Sequence, residues 1–185
     1  QLQGEELRHL RVMRVAVGQT ITLVNGKGDK AEAIVIEIKK TYATLRVHSV
    51  EKRLAATEKK ILALAICKQN RLEIAVEKVT EIGIDEIIFY VGERSEKKQL
   101  NTVRLEKIGI SAMKQCGRLY LPKIMSYPTM AAIPLHPYNI YYGDLTGKNS
   151  IKKTGRSLFF VGPEKGFSAQ ELTFLTASCA QPVCL

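Results

Sequence analysis

The chain has 185 residues, 45% of them hydrophobic and 25% charged, so an ordinary packed core in one large or two small domains is possible. No apolar run is long enough to cross a bilayer, and no secretory leader opens the sequence, so nothing says secreted, and a cytoplasmic location is expected from scattered cysteines that read as reduced thiols; the Gln at residue 1 suggests a start other than the natural one. Lys and Arg total 28 against 18 Asp and Glu, a net charge of +10 that favours polyanionic partners, nucleic acid first.

Residues 1–52 lean towards strand. Near their start, Leu7, Leu10 and either Val15 or Arg14 can share a helical face, while Arg8, Arg11 and Arg14 recur every three residues. Such a stripe suits RNA phosphates, and a merely solvated helix face would look the same. Thr20–Val24 runs into Asn25-Gly26, a strong hairpin signal, and further short strands over 31–38 and 41–50 suggest a small barrel. Gly26-Lys27-Gly28 lacks the rest of a nucleotide-loop fingerprint and reads as a hairpin tip.

A charged stretch over 51–60 marks a boundary, giving domains over 1–55 and 56–185. Ile61–Ile66 reads as a buried strand, Asn70 as the cap of a helix with Leu72, Val76 and Val79 inward, Gly83 as its stop, and Glu86–Val91 as the next strand. Strand, helix, strand at this spacing predicts a parallel sheet. A second helix starts at Asn101 and ends near Gln115-Cys116-Gly117-Arg118. Arg94, after the strand, and Arg118 would reach one anionic ligand if their loops converge; solvated arginines would carry the same sequence. Tyr120–Ile124 contains Pro122 and suits an edge strand or a loop, Tyr138–Tyr142 a strand ending at Gly143-Asp144, and 147–156 a polar, basic connection.

Leu158–Val161 is a short apolar strand broken by Gly162-Pro163. Gly166 permits a left-handed turn, and Ser168 with Glu171 has capping-box spacing, with Phe167 placed for a hydrophobic staple. Ligands of α/β proteins bind at such strand ends, though an ordinary strand-to-helix turn shares the pattern. Cys67, Cys116, Cys179 and Cys184 form no CxxC pair and His9, His48 and His136 are scattered, so no metal site is expected.

These motifs together resemble the RsmE-type ribosomal RNA small-subunit methyltransferases of the SPOUT, or α/β-knot, superfamily, over nearly the whole chain. His9–Arg14 with Val17-Gly18 and Asn25–Gly28 resembles the family's N-terminal barrel, and Glu77–Ile84 its "QKATELGV" helix end. Glu93-Arg94-Ser95 resembles "ERS", Ala112–Arg118 with Pro122 resembles "A-x-E-Q-S-G-R…P", and Gly162–Ser168 resembles "GPEGGFS". Five weak matches in one order at matching separations are specific.

The resemblance implies an α/β fold: a small N-terminal PUA-like β-barrel that binds RNA, followed by a SPOUT methyltransferase domain with a C-terminal trefoil knot. It implies methylation of N3 of one uridine in 16S rRNA of the small ribosomal subunit, with S-adenosyl-L-methionine as donor, by a homodimer whose sites are completed between subunits. Carried onto this chain, Gly162, Pro163, Glu164 and Gly166 line the cofactor, with Tyr142, Gly143 and Asp144 as a second wall. Arg94, Gln115 and Arg118 serve the RNA or uracil side, and Arg8, Arg11 and Arg14 grip surrounding RNA. Two departures stand out. Lys165 replaces a glycine, which costs free energy only if that position has positive φ. The family's "LG-x-R-I-L-R-x-E-T-A" segment is expected after Pro182–Leu185, so the knot is expected to be incomplete here. A non-catalytic RNA-binding or ribosome-assembly protein of the same fold is the alternative, and donor binding discriminates the two.

Overall fold

The computed structural model describes residues 1–96, 99–145, 147, 151 and 155–184. Most of the polar connection expected over 147–156 lies outside the described residues. The chain divides into two compact units, Gln1–Ala55 and Ala56–Leu185.

The first unit holds helix α1 (Gly4–Val12) and strands β1 (Thr20–Val24), β2 (Asp29–Ile38) and β3 (Ala43–Lys52), paired antiparallel in the order β1-β2-β3. Leu2 adds a bridge to Ala43. Leu7 and Leu10 of the helix pack on Val35 and Ala43 to form this unit's core. The Asn25 side chain closes the hairpin tip by accepting from the amides of Lys27 (2.8 Å) and Asp29 (3.1 Å).

The expected three-arginine helix stripe is cut short. α1 ends at Val12, and Arg14 sits beyond it in the left-handed region (φ 53°). The Arg14 amide donates to Arg11 O and the Val15 amide to Leu10 O, so the chain reverses and returns Val15 to the core. This is a Schellman ending in which packing of Val15 on Leu10 overrides the usual demand for glycine. Arg11 also donates to the carbonyls of Lys39 (2.7 Å) and Lys40 (2.9 Å).

The second unit is a six-stranded sheet in the order β6-β5-β4-β8-β7-β9. Its elements are β4 (Lys60–Ala65), α2 (Gln69–Ile82), β5 (Glu86–Tyr90), α3 (Thr102–Cys116), β6 (Lys123–Tyr127), β7 (Asn139–Gly143), β8 (Ser157–Val161), α4 (Ala169–Ala177) and β9 (Gln181–Val183). Every pairing in it is parallel. Helices α2 and α3 cover one face through Leu72, Val76 and Leu105, against Ile87 and Phe89. On the other face Ile61, Ala63, Tyr90, Leu158 and Phe160 pack under Met130, Ile133 and Leu175 of α4. The strand order reverses between β4 and β8, the position at which open parallel sheets leave a crevice.

Two local expectations change. Asn70 does not cap α2: Lys68 holds the cap position with extended backbone, and the Asn70 side-chain Oδ1 accepts from the Arg71 amide (3.0 Å). The edge strand β9 was not anticipated; it carries Pro182 at its middle, yet it pairs on the outside of β7, where a missing amide is tolerated.

Candidate functional site

Because the strands are parallel, their C-terminal ends deliver their loops to one edge. After β8, Pro163 is buried and its carbonyl accepts from the Gly166 amide (2.8 Å), closing a turn that Gly166 completes at φ 73°. Among described residues other than glycine, positive φ occurs only at Arg14 and Cys179. Lys165 therefore occupies the glycine position of the resembled motif without backbone strain. The turn is locked to α4 by a capping box: Ser168 Oγ accepts from the Glu171 amide (3.0 Å), and Glu171 Oε2 accepts from the Ser168 amide (2.8 Å).

Phe167 does not serve only its own helix. Its ring meets Tyr142 edge to face at 5.9 Å, which joins the loop after β8 to the end of β7. Beyond Tyr142, the Asp144 amide donates to Val183 O (3.0 Å), and a Cβ on Gly147 would stand 2.7 Å from the Val183 carbonyl carbon. The loop after β7 thus lies backbone against backbone on β9. The structure accordingly brings Tyr142, Gly143, Asp144, Gly162, Pro163, Glu164 and Gly166 to one edge, on two loops in contact.

The loop after β5 reaches the same place. β4 separates β5 from β8 in the sheet, yet loops from both meet across its end. Arg94 Nη1 donates to Lys165 O (3.3 Å), and Lys165 Nζ pairs with Glu96 (3.2 Å). Below them the Tyr90 hydroxyl donates to Val161 O (3.1 Å); burial pushes its pKa far up, so it stays a donor. An open cleft of about 450 Å³ lies between the two loops, lined by Glu93, Arg94, Ser95, Glu96 and Lys165. Beside it, Arg71 pairs with Glu164 (3.3 Å), and burial raises the Cys67 thiol pKa, which keeps that sulfur a poor nucleophile.

Arg94 and Arg118 do not converge within the chain. α3 runs from the C-terminal end of β5 back to the start of parallel β6, so its last turn, carrying exposed Gln115, lies at the opposite edge. There Arg118 Nε donates to Glu81 O (3.0 Å), and its guanidinium covers Gly83, where an added Cβ would meet it at 2.1 Å. Arg118 closes the end of α2. Arg8, Arg11 and Arg14 belong to the first unit, where Arg8 is exposed.

Sequence reasoning missed Glu171 as a site residue. Capping-box spacing marked it as a helix start, but nothing local shows that it is buried (5% exposed) and that its second oxygen accepts from the Glu93 amide at 3.1 Å. Among the described residues no group of three or more His, Cys, Asp or Glu is gathered to hold a metal, and no helix is long and apolar enough to cross a membrane.

Residues 55–185 match the RNA methyltransferase domain, and residues 2–47 the RNA methyltransferase PUA domain. The ribosomal RNA small subunit methyltransferase E of Rickettsia conorii is 30% identical over 175 residues, spanning 90% of this chain and 72% of its own length. A solved ribosomal RNA small subunit methyltransferase E from Neisseria gonorrhoeae, bound to S-adenosyl methionine, matches 100% of this chain and 82% of its own with a TM-score of 0.85 at 26% identity. The crystal structure of a predicted RNA methyltransferase from Thermotoga maritima matches 100% of this chain and 84% of its own, with a TM-score of 0.83 at 29% identity.

Proposed function

The chain belongs to the RNA methyltransferase family, and from that premise we propose that it methylates N3 of a uridine in 16S rRNA of the small ribosomal subunit. The observation that carries the reading is the whole-chain likeness, at a TM-score of 0.85, to a small-subunit rRNA methyltransferase that holds S-adenosyl methionine.

The residues at the C-terminal edge fit that cofactor. Gly166 has nothing within 4 Å of the place a Cβ would take, which leaves main chain open in the loop after β8, whereas a Cβ on Gly162 would already press on the Phe167 ring and amide at 3.3 Å. Gly162, Pro163, Glu164 and Gly166 would hold it from one side, and Tyr142, Gly143 and Asp144 from the other. When bound, S-adenosylmethionine supplies an electrophilic methyl group. The chain's own task is to align the uracil nitrogen, to accommodate loss of its proton, and to keep the base out of a duplex.

N3 lies on the pairing edge, so the target base must be unpaired or flipped out. Arg94, exposed at the mouth of the cleft, is suited to hold a phosphate or the oxygens of a uracil anion through charge-assisted hydrogen bonds. Alignment supplies much of the rate in such a displacement. The first unit would hold surrounding RNA through phosphate contacts from Arg8, Arg14 and the remaining donors of Arg11. Gln115 and Arg118, at the far edge, would serve a reaction only in the site of a second copy, in keeping with a homodimer. A cytoplasmic location is consistent with four cysteines that are all free thiols. The C-terminal knot belongs to the same proposal.

Calorimetric titration of the intact protein with S-adenosylmethionine, followed by transfer of a labelled methyl group to small-subunit RNA and mass mapping of the product, tests the reading. Saturable donor binding and label on uridine N3 are expected. Absence of donor binding overturns the enzyme assignment, and label on another atom overturns the N3 assignment.

A further inference from the structure

We propose that Glu171 is a positioning residue that ties the Arg94 loop to the donor-side loop, so that the two sides of the reaction keep one geometry. The inference rests on the methyltransferase reading for its function and on the structure for its geometry. Glu171 is a buried carboxylate whose oxygens accept from backbone amides, and it forms no salt bridge among the described residues. Oε2 takes the Ser168 amide, which is the ordinary work of a capping box. Oε1 takes the amide of Glu93, 78 positions away and immediately before Arg94.

Room for this bridge is made by small residues. A Cβ on Gly92 would stand 3.4 Å from Ala65 Cβ, 3.4 Å from Glu171 Oε1 and 3.1 Å from Ser95 Oγ. A larger side chain at Gly92 would crowd the space between the end of β4 and the carboxylate. The Ser95 hydroxyl takes the Gly92 amide (3.2 Å) and the Ser95 amide returns to Gly92 O (3.0 Å), so the Gly92–Ser95 turn moves as one piece. The single carboxylate therefore holds the turn that carries Arg94 and the start of the helix that follows Gly166. The Arg94–Lys165 and Lys165–Glu96 contacts are exposed and depend on that register.

The substitution E171Q separates the two jobs of this side chain. Glutamine is a competent capping-box partner, so its oxygen can keep the Ser168 amide, but its NH2 group then faces the Glu93 amide and cannot accept from it. The control S168A removes the other half of the capping box and leaves the bridge. For E171Q we expect methyl transfer to fall about 10-fold, and by no more than in R94A, with the Glu93 amide exchanging about tenfold faster or more. For S168A we expect a melting temperature lower by about 3 °C, with Glu93 exchange and activity near wild type. The double variant R94A/E171Q should be no less active than R94A, because Glu171 acts through Arg94. Activity in E171Q equal to that in S168A, unchanged Glu93 exchange, or additive losses in the double variant each overturn the proposal. If the wild-type protein binds no donor, the methyltransferase reading fails by itself, and the exchange data still decide whether Glu171 ties the loops.

Discussion

At the N-terminal edge of the six-stranded sheet, polar groups of the backbone are consumed by the protein itself. Asp85 accepts the Lys60 amide on its carboxylate (2.8 Å), donates its own amide to Lys60 O (2.9 Å) and accepts the Lys123 amide on its carbonyl (2.9 Å). Lys59 pairs with buried Glu86 at 2.5 Å, and Arg118 covers the end of α2. At the C-terminal edge, by contrast, the loops after β5, β7 and β8 are held to one another at a few points, and the backbone at Gly166 stands open, with nothing within 4 Å of the place a Cβ would take. Both edges carry an arginine. Arg118 closes a helix, and Arg94 stands at the mouth of a cleft. What distinguishes them is which backbone groups remain for a ligand, and that follows from strand direction rather than from residue type.

Substitutions can break or sharpen this contrast. The largest effect is expected for Gly162→Val, since its Cβ would press on Phe167 and its branched methyls would displace the loop. Donor binding and methyl transfer should drop about 100-fold or more, measured by calorimetry and label incorporation. Arg94→Ala should cost roughly 2 kcal/mol of transition-state stabilisation, about 30-fold in kcat/KM, with the urea midpoint unchanged; full activity would remove Arg94 from the site. Asp85→Ala should leave donor affinity alone and lower unfolding free energy by about 1–2 kcal/mol, read from urea denaturation. The smallest effect is expected for Arg118→Ala, about 1 kcal/mol of stability, because the Glu81 carbonyl it releases can turn to water. If Arg118→Ala instead abolishes methyl transfer at unchanged stability, Arg118 acts in a second copy, and the edge-to-edge contrast does not hold for the assembled enzyme.

Much of the second unit was legible because its signals are short-range. Apolar runs at 61–66 and 86–91 separated by one amphipathic helix announce a parallel sheet, and a third run at 158–161 is ended by a glycine-proline break. The cap at Asn101, which accepts from the Arg104 amide (3.1 Å), and the left-handed glycines 83 and 117 follow the same logic. The misses share a cause. Asn70 has the side chain of a cap, but the chain enters α2 two residues earlier than it needs, at Lys68. β9 is three residues long with a proline in its middle, and only the open side of β7 makes it a strand. Arg14 fits a three-residue periodicity that tertiary packing of Val15 interrupts.

The candidate site divides along the same line. The turn from Gly162 to Ser168 was readable because its bonds span a few positions, as from Gly166 to Pro163 and between Ser168 and Glu171. The partners of Arg94 and of Glu171 were not, since they lie 71 and 78 positions away.

The amino-acid sequence by itself determined the elements, the sharp turns and the chemistry available at each loop, because these depend on torsional preferences and hydrogen bonds between near neighbours. Only the tertiary structure decided which loops share an edge, that Arg94 faces the cleft while Arg118 caps a helix, and that Glu171 spans two loops. Those outcomes depend on strand order and direction, which are set by the burial of both sheet faces at once, a property that no short window of residues contains.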